Sequence, residues 1–524
     1  MTRLTGPAVA LALALPGAPP MHLPGDAGTA SVRADRATWI VGARPSPAAA
    51  RVARRARARR LTAGVWLVAR RRARPLAAAL RARGDLLFAE PNRLSRELQG
   101  PPDDPLSPQA RWRDAIVDPS LPPPPVTPDS PLLALIDSEL DASHPEFQGG
   151  NVTTLGGQPV VNEHGTATAA VAAAPANGTG ILGVWPGMRA LNVPLPGEIS
   201  CADSVQGIVT AVKAKAKVIN MSYGSPSLCF AEYLAIQQAI AAGVTVVAAA
   251  GNEFANGNPL EFPASLPHVL TVAAVGPDQR ASYFSSASAA VDVSAPGEGI
   301  LTAVPQAFDS EPPDDGYAHL NGTSFAAPMV AAAAAWVRAA RPELTRDQVT
   351  QVLRLSAQDL ERPGWDAATG FGEVTIGAAL QRTPPPNDPL EPNDDIEWID
   401  GRAFGRADPP IFRGRAARTL AGQVDAYEDP NDVYRITVPA HSRVRVAIKP
   451  RFGDPDLAVY TRSARGIAER SALLARSQRG AGRSDRLTVR NRAGASRTYY
   501  VRIYVHGGSS RLDSAYVLRV QRLR

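Results

Sequence analysis

Short apolar runs alternate with amphipathic stretches through the middle of the chain. Between residues 131 and 379, five segments are almost entirely apolar and predict buried strands: 132–136, 190–193, 218–221, 244–249 and 269–275. Stretches between them, such as 204–216 and 230–242, predict helices. Apolar strands separated by helices are typical of a mostly parallel sheet covered by helices on both faces. We therefore predict an α/β fold for this region.

The chain before this region predicts a small α+β unit. Its predicted elements are strands at 38–43, 64–69 and 86–89 and helices at 47–60 and 75–83. Ser46 can cap the first of these helices, and Pro47 occupies the first helical position, where proline is favoured. Proline-rich residues 101–128 follow, and such a stretch predicts a linker or surface arm rather than a packed core.

The last part of the chain has a different pattern. After a second proline-rich break at 384–389, short segments with alternating apolar and polar residues predict strands at 432–438, 443–448, 458–461, 487–489, 499–505 and 515–520. Strands of this length and spacing are typical of a β-sandwich.

Charge divides the chain at nearly the same places. Residues 33–96 hold 17 arginines against 3 acidic residues, a net charge of +14, whereas residues 97–396 carry −20 and residues 397–524 carry +13. Three blocks of alternating sign predict three units whose opposite charges favour docking. Neither basic block contains a recognised nucleic-acid-binding motif, so we predict no nucleic-acid partner.

The first residues resemble an export signal. Arg3 precedes an apolar run at 8–15, and small residues follow at Gly17 and Ala18, so residues 1–24 predict a signal peptide. The alternative is a disordered start of an alanine-rich protein. No apolar stretch reaches the roughly 18 residues that a membrane-spanning helix needs, so no transmembrane segment is predicted.

Four polar residues stand at predicted strand ends or helix starts. Asp137 ends the first strand of the central region, His164 begins a His-Gly-Thr sequence, Asn252 follows a buried strand, and Ser324 opens a helix within Gly-Thr-Ser-Phe-Ala-Ala-Pro. Each alone has an ordinary structural interpretation as a turn or cap residue. Together they contain a nucleophile, a base, a carboxylate to orient the base and an amide that can donate to an oxyanion.

This order of Asp, His, Asn and Ser resembles the subtilisin-like serine proteases, the peptidase S8 family. The resemblance covers residues 131–379 and is most specific at residues 322–328. It implies protein or peptide substrates, hydrolysed by Ser324 as nucleophile, His164 as general base and acid, and Asp137 as its orienting carboxylate. It also implies that Asn252 lines the oxyanion hole and that no cofactor is required for the chemistry.

The resemblance extends to substrate binding. It implies that Ser222, Tyr223 and Gly224 pair with the substrate backbone as an added strand, and that Ala249 and Gly251 line the P1 pocket. Glu261 stands where many relatives carry glycine. A carboxylate there would favour Arg or Lys at P1, unless Glu261 turns outward or pairs with Arg280 and leaves an apolar preference.

Two residues near the motifs depart from the family pattern. Glu139 stands two residues after Asp137, where relatives usually carry glycine, and Ala167 stands three residues after His164, where they usually carry a second histidine. Two alternatives to an active protease therefore stay open. One is a catalytically impaired scaffold with the subtilisin fold, and the other is a surface-binding protein.

The flanking regions fit the same resemblance. Residues 33–97 resemble an inhibitory prodomain, and residues 397–524 resemble the bacterial pre-peptidase C-terminal domain. These likenesses imply a secreted zymogen of bacterial export type that processes itself and is inhibited by its own prodomain. A preference for Arg or Lys at P1 would place the cleavage after Arg96. The predicted divisions are 1–24, 33–97, 98–130 as linker and arm, 131–382 as catalytic domain, 383–396 as linker, and 397–524.

Two further features follow from the resemblance. Glu146 and Asn177 match positions where relatives place calcium ligands, and oxygen ligands suit a hard cation. The alternative is an Asn-Gly turn beside a solvated glutamate. Cys201 and Cys229, the only cysteines, lie on segments that flank one cleft in this fold. We expect a disulfide between them, the alternative being two free thiols.

Overall fold

The computed structural model describes residues 34–97, 110–118, 120–148, 150–388, 390–505 and 513–523. The predicted signal peptide and residues 98–109 of the predicted linker lie outside them. In chain order the elements are β1 (Ala34–Ala43), α1 (Pro47–Arg55), β2 (Arg59–Thr62), β3 (Val65–Ala69), α2 (Arg70–Ala82), β4 (Leu86–Glu97), α3 (Trp112–Ile116), β5 (Leu133–Asp137), β6 (Val152–Thr154), α4 (His164–Ala173), β7 (Ala190–Pro194), β8 (Ile199–Ser200), α5 (Cys201–Lys213), β9 (Val218–Met221), β10 (Tyr223–Gly224), α6 (Phe230–Ala241), β11 (Thr245–Ala249), β12 (Val269–Val275), β13 (Val293–Pro296), β14 (Ile300–Ala303), β15 (Tyr317–Leu320), α7 (Thr323–Ala340), α8 (Arg346–Ser356), α9 (Ile376–Gln381), α10 (Ile396–Ile399), β16 (Arg418–Asp425), β17 (Asn431–Val438), β18 (Ser442–Phe452), β19 (Pro455–Thr461), β20 (Leu473–Ser477), β21 (Asp485–Asn491), β22 (Arg497–Val505) and β23 (Asp513–Leu523).

The N-terminal unit is a four-stranded antiparallel sheet in the order β4-β1-β3-β2 with α1 and α2 packed on it. The side chain of Ser46 accepts a hydrogen bond from the Ala49 amide and caps α1, as its sequence predicts. The predicted helix at 47–60 ends earlier, at Arg55, because Arg57 adopts the left-handed conformation that turns the chain into β2.

The central unit contains the predicted parallel sheet. Seven parallel strands lie in the order β13-β12-β11-β9-β5-β7-β6. Helices α4 and α7 share one hydrophobic core with the sheet, and α5 and α6 share another on its opposite face. Half of the residues of α7 are alanines, which lets this helix lie deep in the core beside α4.

The proline-rich stretch before this unit is not entirely a surface arm. Within it, α3 buries Trp112 and Ile116 against the central core, and the Trp112 indole donates to the Leu301 carbonyl at 3.1 Å. A single turn carrying two large apolar residues is enough to dock on a preformed surface.

The C-terminal unit is a β-sandwich of two antiparallel sheets, β16-β23-β18-β21 and β17-β22-β19-β20. Its core contains alternate residues of facing strands, among them Tyr434, Val446 and Val501. No helix among the residues described above is long and apolar enough to cross a membrane.

The sandwich docks directly on the central unit. Arg354 of α8 is 4% exposed and contacts Asp292 and Asp425, each at 3.0 Å. His268 Nε2 lies 2.8 Å from Asp394 Oδ2. Residues 393–395, at the end of the predicted linker, are buried, and Asp394 among them makes this contact with the central unit.

Candidate active site

Asp137 and His164 form a buried pair at the carboxyl end of the central sheet. Asp137 is the last residue of β5 and His164 is the first residue of α4, and their Oδ1 and Nδ1 atoms lie 2.6 Å apart. The other carboxylate oxygen accepts a hydrogen bond from the Thr168 hydroxyl at 3.0 Å. Because both oxygens are engaged, the carboxylate is fixed and holds the imidazole in one orientation.

The sequence around the pair explains its geometry. Ser138 Oγ accepts a hydrogen bond from the Gly165 amide and donates to Asn162 Oδ1, each at 2.8 Å. A Cβ atom on Gly165 would lie 2.2 Å from the Ser138 carbonyl oxygen, so only glycine can follow His164 here. The close approach of β5 and α4 depends on this residue.

Ser324 lies at the start of α7, beside the same edge of the sheet. Its hydroxyl donates to the Ser222 carbonyl at 3.3 Å, and the Ser222 hydroxyl donates to the Ser324 carbonyl at 2.9 Å. The ring of Phe325, the next residue, lies 5.9 Å from the His164 ring. The start of α7 is thus anchored beside both His164 and the β10 segment.

Asn252 follows β11 and points its amide into the same site. Its Oδ1 accepts hydrogen bonds from the Thr323 amide at 2.9 Å and the Thr323 hydroxyl at 3.0 Å. Its Nδ2 is buried and has no hydrogen-bond partner among the residues that the structure describes. Because Thr323 fixes which end of the amide faces inward, the site presents an unused N–H donor next to Ser324.

The end of the N-terminal unit lies between two edge strands of the central unit. Strand β4 pairs antiparallel with β8, where Leu94 faces Ser200, and with β10, where Arg96 faces Gly224 and Glu97 faces Tyr223. Ser222 is the residue directly before β10. The end of β4 thus pairs with the segment predicted to bind the substrate backbone, and Arg96 as the cleavage residue stays a prediction.

Two side chains just before this strand end cap helices of the central unit. The Glu90 carboxylate accepts hydrogen bonds from the Phe230 and Ala231 amides at 3.0 and 2.8 Å, at the start of α6. Asn92 Oδ1 accepts one from the Ala202 amide at 2.7 Å, at the start of α5. These bonds satisfy amides that a helix start leaves without partners.

The two cysteines lie at the same helix starts. Cys201 is the first residue of α5 and Cys229 precedes α6, and a disulfide joins them across a Cα–Cα distance of 6.3 Å.

Gly251 and Glu261 contact each other at the predicted P1 pocket. Gly251 has a φ of 112°, and a Cβ atom there would lie 2.7 Å from Glu261 Cγ. Glu261 is 1% exposed, so its side chain does not turn outward. Ala249 is the last residue of β11 and lies at the wall of this region. Arg280, the alternative partner of Glu261, is exposed.

Glu146 and Asn177 also lie together. Asn177 Nδ2 donates to the Glu146 carbonyl at 3.1 Å, and its Oδ1 accepts from the Thr179 amide. Glu146 Oε2 accepts from Ile181 and Tyr317, whereas Oε1 is buried without a partner. Burial raises the pKa of this carboxyl above its usual range.

The fold accommodates both departures from the family pattern. Glu139 accepts hydrogen bonds from the Thr154 hydroxyl at 2.5 Å and the Gln158 amide at 3.2 Å, so it fixes the loop after β6. Ala167 is buried in the core beside α7, and its carbonyl accepts a hydrogen bond from the Thr302 hydroxyl at 2.8 Å. Neither residue contacts Asp137 or Ser324 through a described hydrogen bond.

Several residues that support the site were not predicted from the sequence. Thr168 stands four residues after His164 and so shares its helix face, a spacing that could have identified it. Thr323 precedes the serine directly. No local sequence motif identifies Ser138 and Asn162, because their roles depend on how β5 and α4 pack together.

Comparisons with known proteins agree with this fold and arrangement. The subtilase family model matches residues 129–372. Subtilisin DY of Bacillus licheniformis is 35% identical over 260 residues, which cover 48% of this chain and 90% of that protein. Fervidolysin of Fervidobacterium pennivorans is 31% identical over 285 residues, which cover 48% of this chain but 40% of that protein.

The crystal structure of fervidolysin, described as a keratinolytic enzyme related to subtilisin, shares the fold over a larger part of the chain. It superposes with a TM-score of 0.56 and 18% identity, and covers 88% of this chain and 86% of that one. With 90% of a subtilisin covered at 35% identity, the chain belongs to the subtilase family and is a subtilisin-like serine peptidase.

Proposed function

We propose that the chain is a secreted serine endopeptidase, made as a zymogen, in which Asp137, His164 and Ser324 hydrolyse peptide bonds. The paired Asp137 and His164 and the position of Ser324 beside them support these roles. Ser324 Oγ attacks the substrate carbonyl carbon, and its proton passes to His164 Nε2. The imidazolium that forms is stabilised by Asp137 at 2.6 Å.

The developing negative charge on the carbonyl oxygen needs a donor. Asn252 Nδ2 supplies one and the backbone N–H of Ser324 a second. The imidazolium then protonates the leaving amine, the C–N bond breaks, and an acyl-enzyme ester on Ser324 remains. Water attacks this ester with His164 again as base, releasing the acid and restoring the hydroxyl.

The observation that carries the proposal is the orientation of the Asn252 amide. Two hydrogen bonds from Thr323 occupy its oxygen, and its buried Nδ2 has no protein partner. A buried donor without a partner costs free energy in the resting protein. That cost is offset when the donor binds charge that forms only during the reaction.

Strand addition accounts for both substrate binding and inhibition. Substrates would pair with Ser222, Tyr223 and Gly224 as β4 does, and residues 34–97 would act as the inhibitory prodomain. We propose that self-cleavage occurs after Arg96, where β4 pairs with β10. The Cys201–Cys229 disulfide and the N-terminal apolar run support export.

The pocket beside Gly251 would recognise the P1 side chain. Glu261 contributes a buried carboxylate to this region, and a cationic Arg or Lys side chain would compensate its charge. Peptides that differ only at P1 should therefore be cleaved faster with Arg than with Leu. A preference for Leu would show that Glu261 does not face the pocket.

A structural calcium ion fits the Glu146 region. Glu146 Oε1, the Asn177 side chain and nearby carbonyls would hold it, since a buried carboxylate oxygen without a partner suits a hard cation. The ion would stabilise the loop after α4 and takes no part in the chemistry.

Replacing Asn252 with alanine tests the proposed function. We expect kcat to fall by about 10²–10³, the effect of removing one oxyanion donor from subtilisin, while KM changes little. Asn256→Ala, an exposed amide on the same loop, should leave kcat unchanged. A fluorophosphonate probe should label Ser324 in both proteins. An Asn252→Ala variant with unaltered kcat would contradict the assignment.

A further inference from the structure

The outer face of one sandwich sheet carries a group of exposed cationic side chains. In this sheet β18 lies between β21 and β23 and pairs antiparallel with both. Alternate residues of a strand point to the same side of a sheet, and residues directly opposite one another on paired strands share that side. The exposed cations on the outer side, called here the basic face, are Arg443, Arg445, Lys449, Arg486, Arg490 and Arg519.

The register of the strands brings like charges together on the basic face. Arg443 stands directly opposite Arg490. Ala447 stands between Arg486 and Arg519, so only a methyl group separates these two arginine positions. Like charges that face each other across strands destabilise the pairing. An anion that binds across the face relieves this repulsion.

Within the described strands, no acidic side chain interrupts the basic face. The outward positions of β18 between Arg443 and Lys449 contain none, and neither do the positions opposite them on β21 and β23. These opposite positions hold Arg490, Thr488 and Arg486 on β21 and Leu523, Gln521, Arg519 and Val517 on β23. The face therefore presents charge of one sign to the solvent.

The outer face of the other sheet is built differently. There Val433, Ala458 and Tyr500 are buried against Ile396 and Ile399 of α10. One outer face of the sandwich is thus apolar and covered by the chain itself, whereas the basic face is charged and exposed. The basic face is the side that is open to a ligand from outside the chain.

The shape of the basic face suits a long anionic chain. From Arg443 to Lys449 the cations extend along β18 for about 20 Å, at a rise of about 3.4 Å per residue. Five of the six cations are arginines, whose planar guanidinium can bind two oxygens of a carboxylate or sulfate at once. A linear polymer with an anionic group on each repeating unit can contact several of them together, and linked weak contacts reinforce one another.

The basic face lacks the features that nucleic acids and membranes require. Single-stranded nucleic acids bind through aromatic side chains on which bases stack, and the outward positions from Arg443 to Lys449 and along β21 hold no aromatic residue. The grooves of a DNA duplex admit a helix or a two-stranded ribbon rather than the flat face of a four-stranded sheet. Attachment to a membrane surface uses large apolar side chains beside the cations.

We propose that the basic face binds a linear acidic polysaccharide whose sugars carry carboxylate or sulfate groups. The catalytic residues belong to another unit, so the binding itself requires no peptidase activity. Its consequence rests on the proposed function: a secreted peptidase held on an acidic matrix by its sandwich would cleave proteins within that matrix.

Polygalacturonate, a linear polymer with one carboxylate on each sugar, is the probe for this binding. Equilibrium titration of the fluorescent polymer with the full-length Ser324→Ala chain should show binding that disappears when NaCl rises to about 0.5 M. Neutral dextran should not bind. Arg445→Gln, Arg486→Gln and Arg490→Gln, combined in this background, should weaken the binding by about tenfold, because three exposed charge contacts are lost.

A matched change in the N-terminal unit separates the basic face from net charge. Arg51→Gln, Arg54→Gln and Arg55→Gln remove the same charge from exposed positions of α1 and should leave the affinity unchanged. An equal loss in both triple variants would overturn the proposal. The sandwich variant should melt at or above the parent temperature, because it loses like charges that face one another. A loss of binding is then not a loss of folding.

Two other anions decide the class of ligand. Oligodeoxythymidylate and vesicles of anionic phospholipid, each at the same charge concentration, should bind the Ser324→Ala chain more weakly than polygalacturonate does. Tighter binding of either through the same three sandwich arginines would overturn the proposed ligand, and so would a chain that binds polygalacturonate no better than dextran. No hydrolysis is measured, so failure here leaves the proposed peptidase function untouched.

Discussion

The catalytic unit has two interfaces within the chain, and they are built differently. The N-terminal unit contacts it through backbone pairing of β4 and through Glu90 and Asn92, which cap helix starts. The sandwich contacts it through buried charged side chains, with Arg354 between Asp292 and Asp425. Water can replace the partners of a helix start or a strand edge, but not those of a buried charge.

This difference separates a removable partner from a permanent one. When the N-terminal unit leaves, the groups it covered on the catalytic unit become solvated or bind substrate. When the sandwich leaves, Arg354 keeps Asp292 but loses Asp425, and the buried Asp425 loses its counter-charge. We infer that the first interface serves inhibition and release, and that the second is part of the mature enzyme.

Breaking the sandwich interface should have the largest effect on stability. Arg354→Met leaves Asp292 and Asp425 buried without their counter-charge, which typically costs about 3–5 kcal/mol. Denaturant unfolding of the full-length Ser324→Ala chain measures this loss. Arg362→Met, an exposed arginine, serves as the matched control. If both variants unfold at the same denaturant concentration, the sandwich is not held by this charge.

A buried acid beneath the other interface should give a pH-dependent effect. Burial, with a smaller contribution from Glu90, raises the pKa of Glu232 from 4.5 to about 7. The folded protein therefore holds this proton more tightly than the unfolded chain. The contribution of this proton to the stability of the folded protein is fully present below about pH 4.5 and declines as pH rises towards 7.

Glu232→Gln removes that dependence. At pH 8 the variant should exceed its Ser324→Ala parent in stability by up to about 3 kcal/mol, and at pH 4 the advantage should vanish. Melting temperatures across this pH range measure the change. Glu343→Gln, an exposed acid, should show no such trend. A difference that stays constant with pH would contradict the raised pKa.

Disrupting the interface of the N-terminal unit should have the smallest effect on stability. Glu90→Ala removes the cap of α6 and should weaken this contact by about 1–2 kcal/mol. In the Ser324→Ala chain, hydrogen exchange at the Phe230 and Ala231 amides should then accelerate by about tenfold. Glu469→Ala in the sandwich controls for general loosening. Unchanged exchange would mean that β4 pairing and the Asn92 contact hold the N-terminal unit without Glu90.

Five of the seven strands of the central sheet could be predicted from the sequence because burial on both faces leaves a continuous apolar run. β9 and β12 have the predicted bounds, and β5, β7 and β11 differ by one residue at their ends. The short strands β6 and β13, at the two edges of the sheet, were not predicted. In the sandwich, β16 and β20 were not predicted, since exposed and partly buried residues predominate along them. Only pairing with β23 and β19 makes them strands.

The residues of the candidate site likewise differ in whether a local sequence motif could reveal them. Asp137, His164, Asn252 and Ser324 could be predicted because each belongs to a local motif. The register of β4 against β10 could not be predicted, because it pairs residues 126 and 128 apart and no local sequence motif encodes it. The roles of Glu90 and Asn92 as helix caps likewise depend on docking between units.

Intact mass of the purified product tests the central assignment most directly. The wild-type chain should yield a protein that begins at Glu97 and retains the sandwich. The Ser324→Ala chain, expressed in a host without other proteases, should keep residues 34–97 attached. Identical processing of the two chains would contradict Ser324 as the nucleophile. A wild-type product that lacks the sandwich would contradict its permanent place in the enzyme.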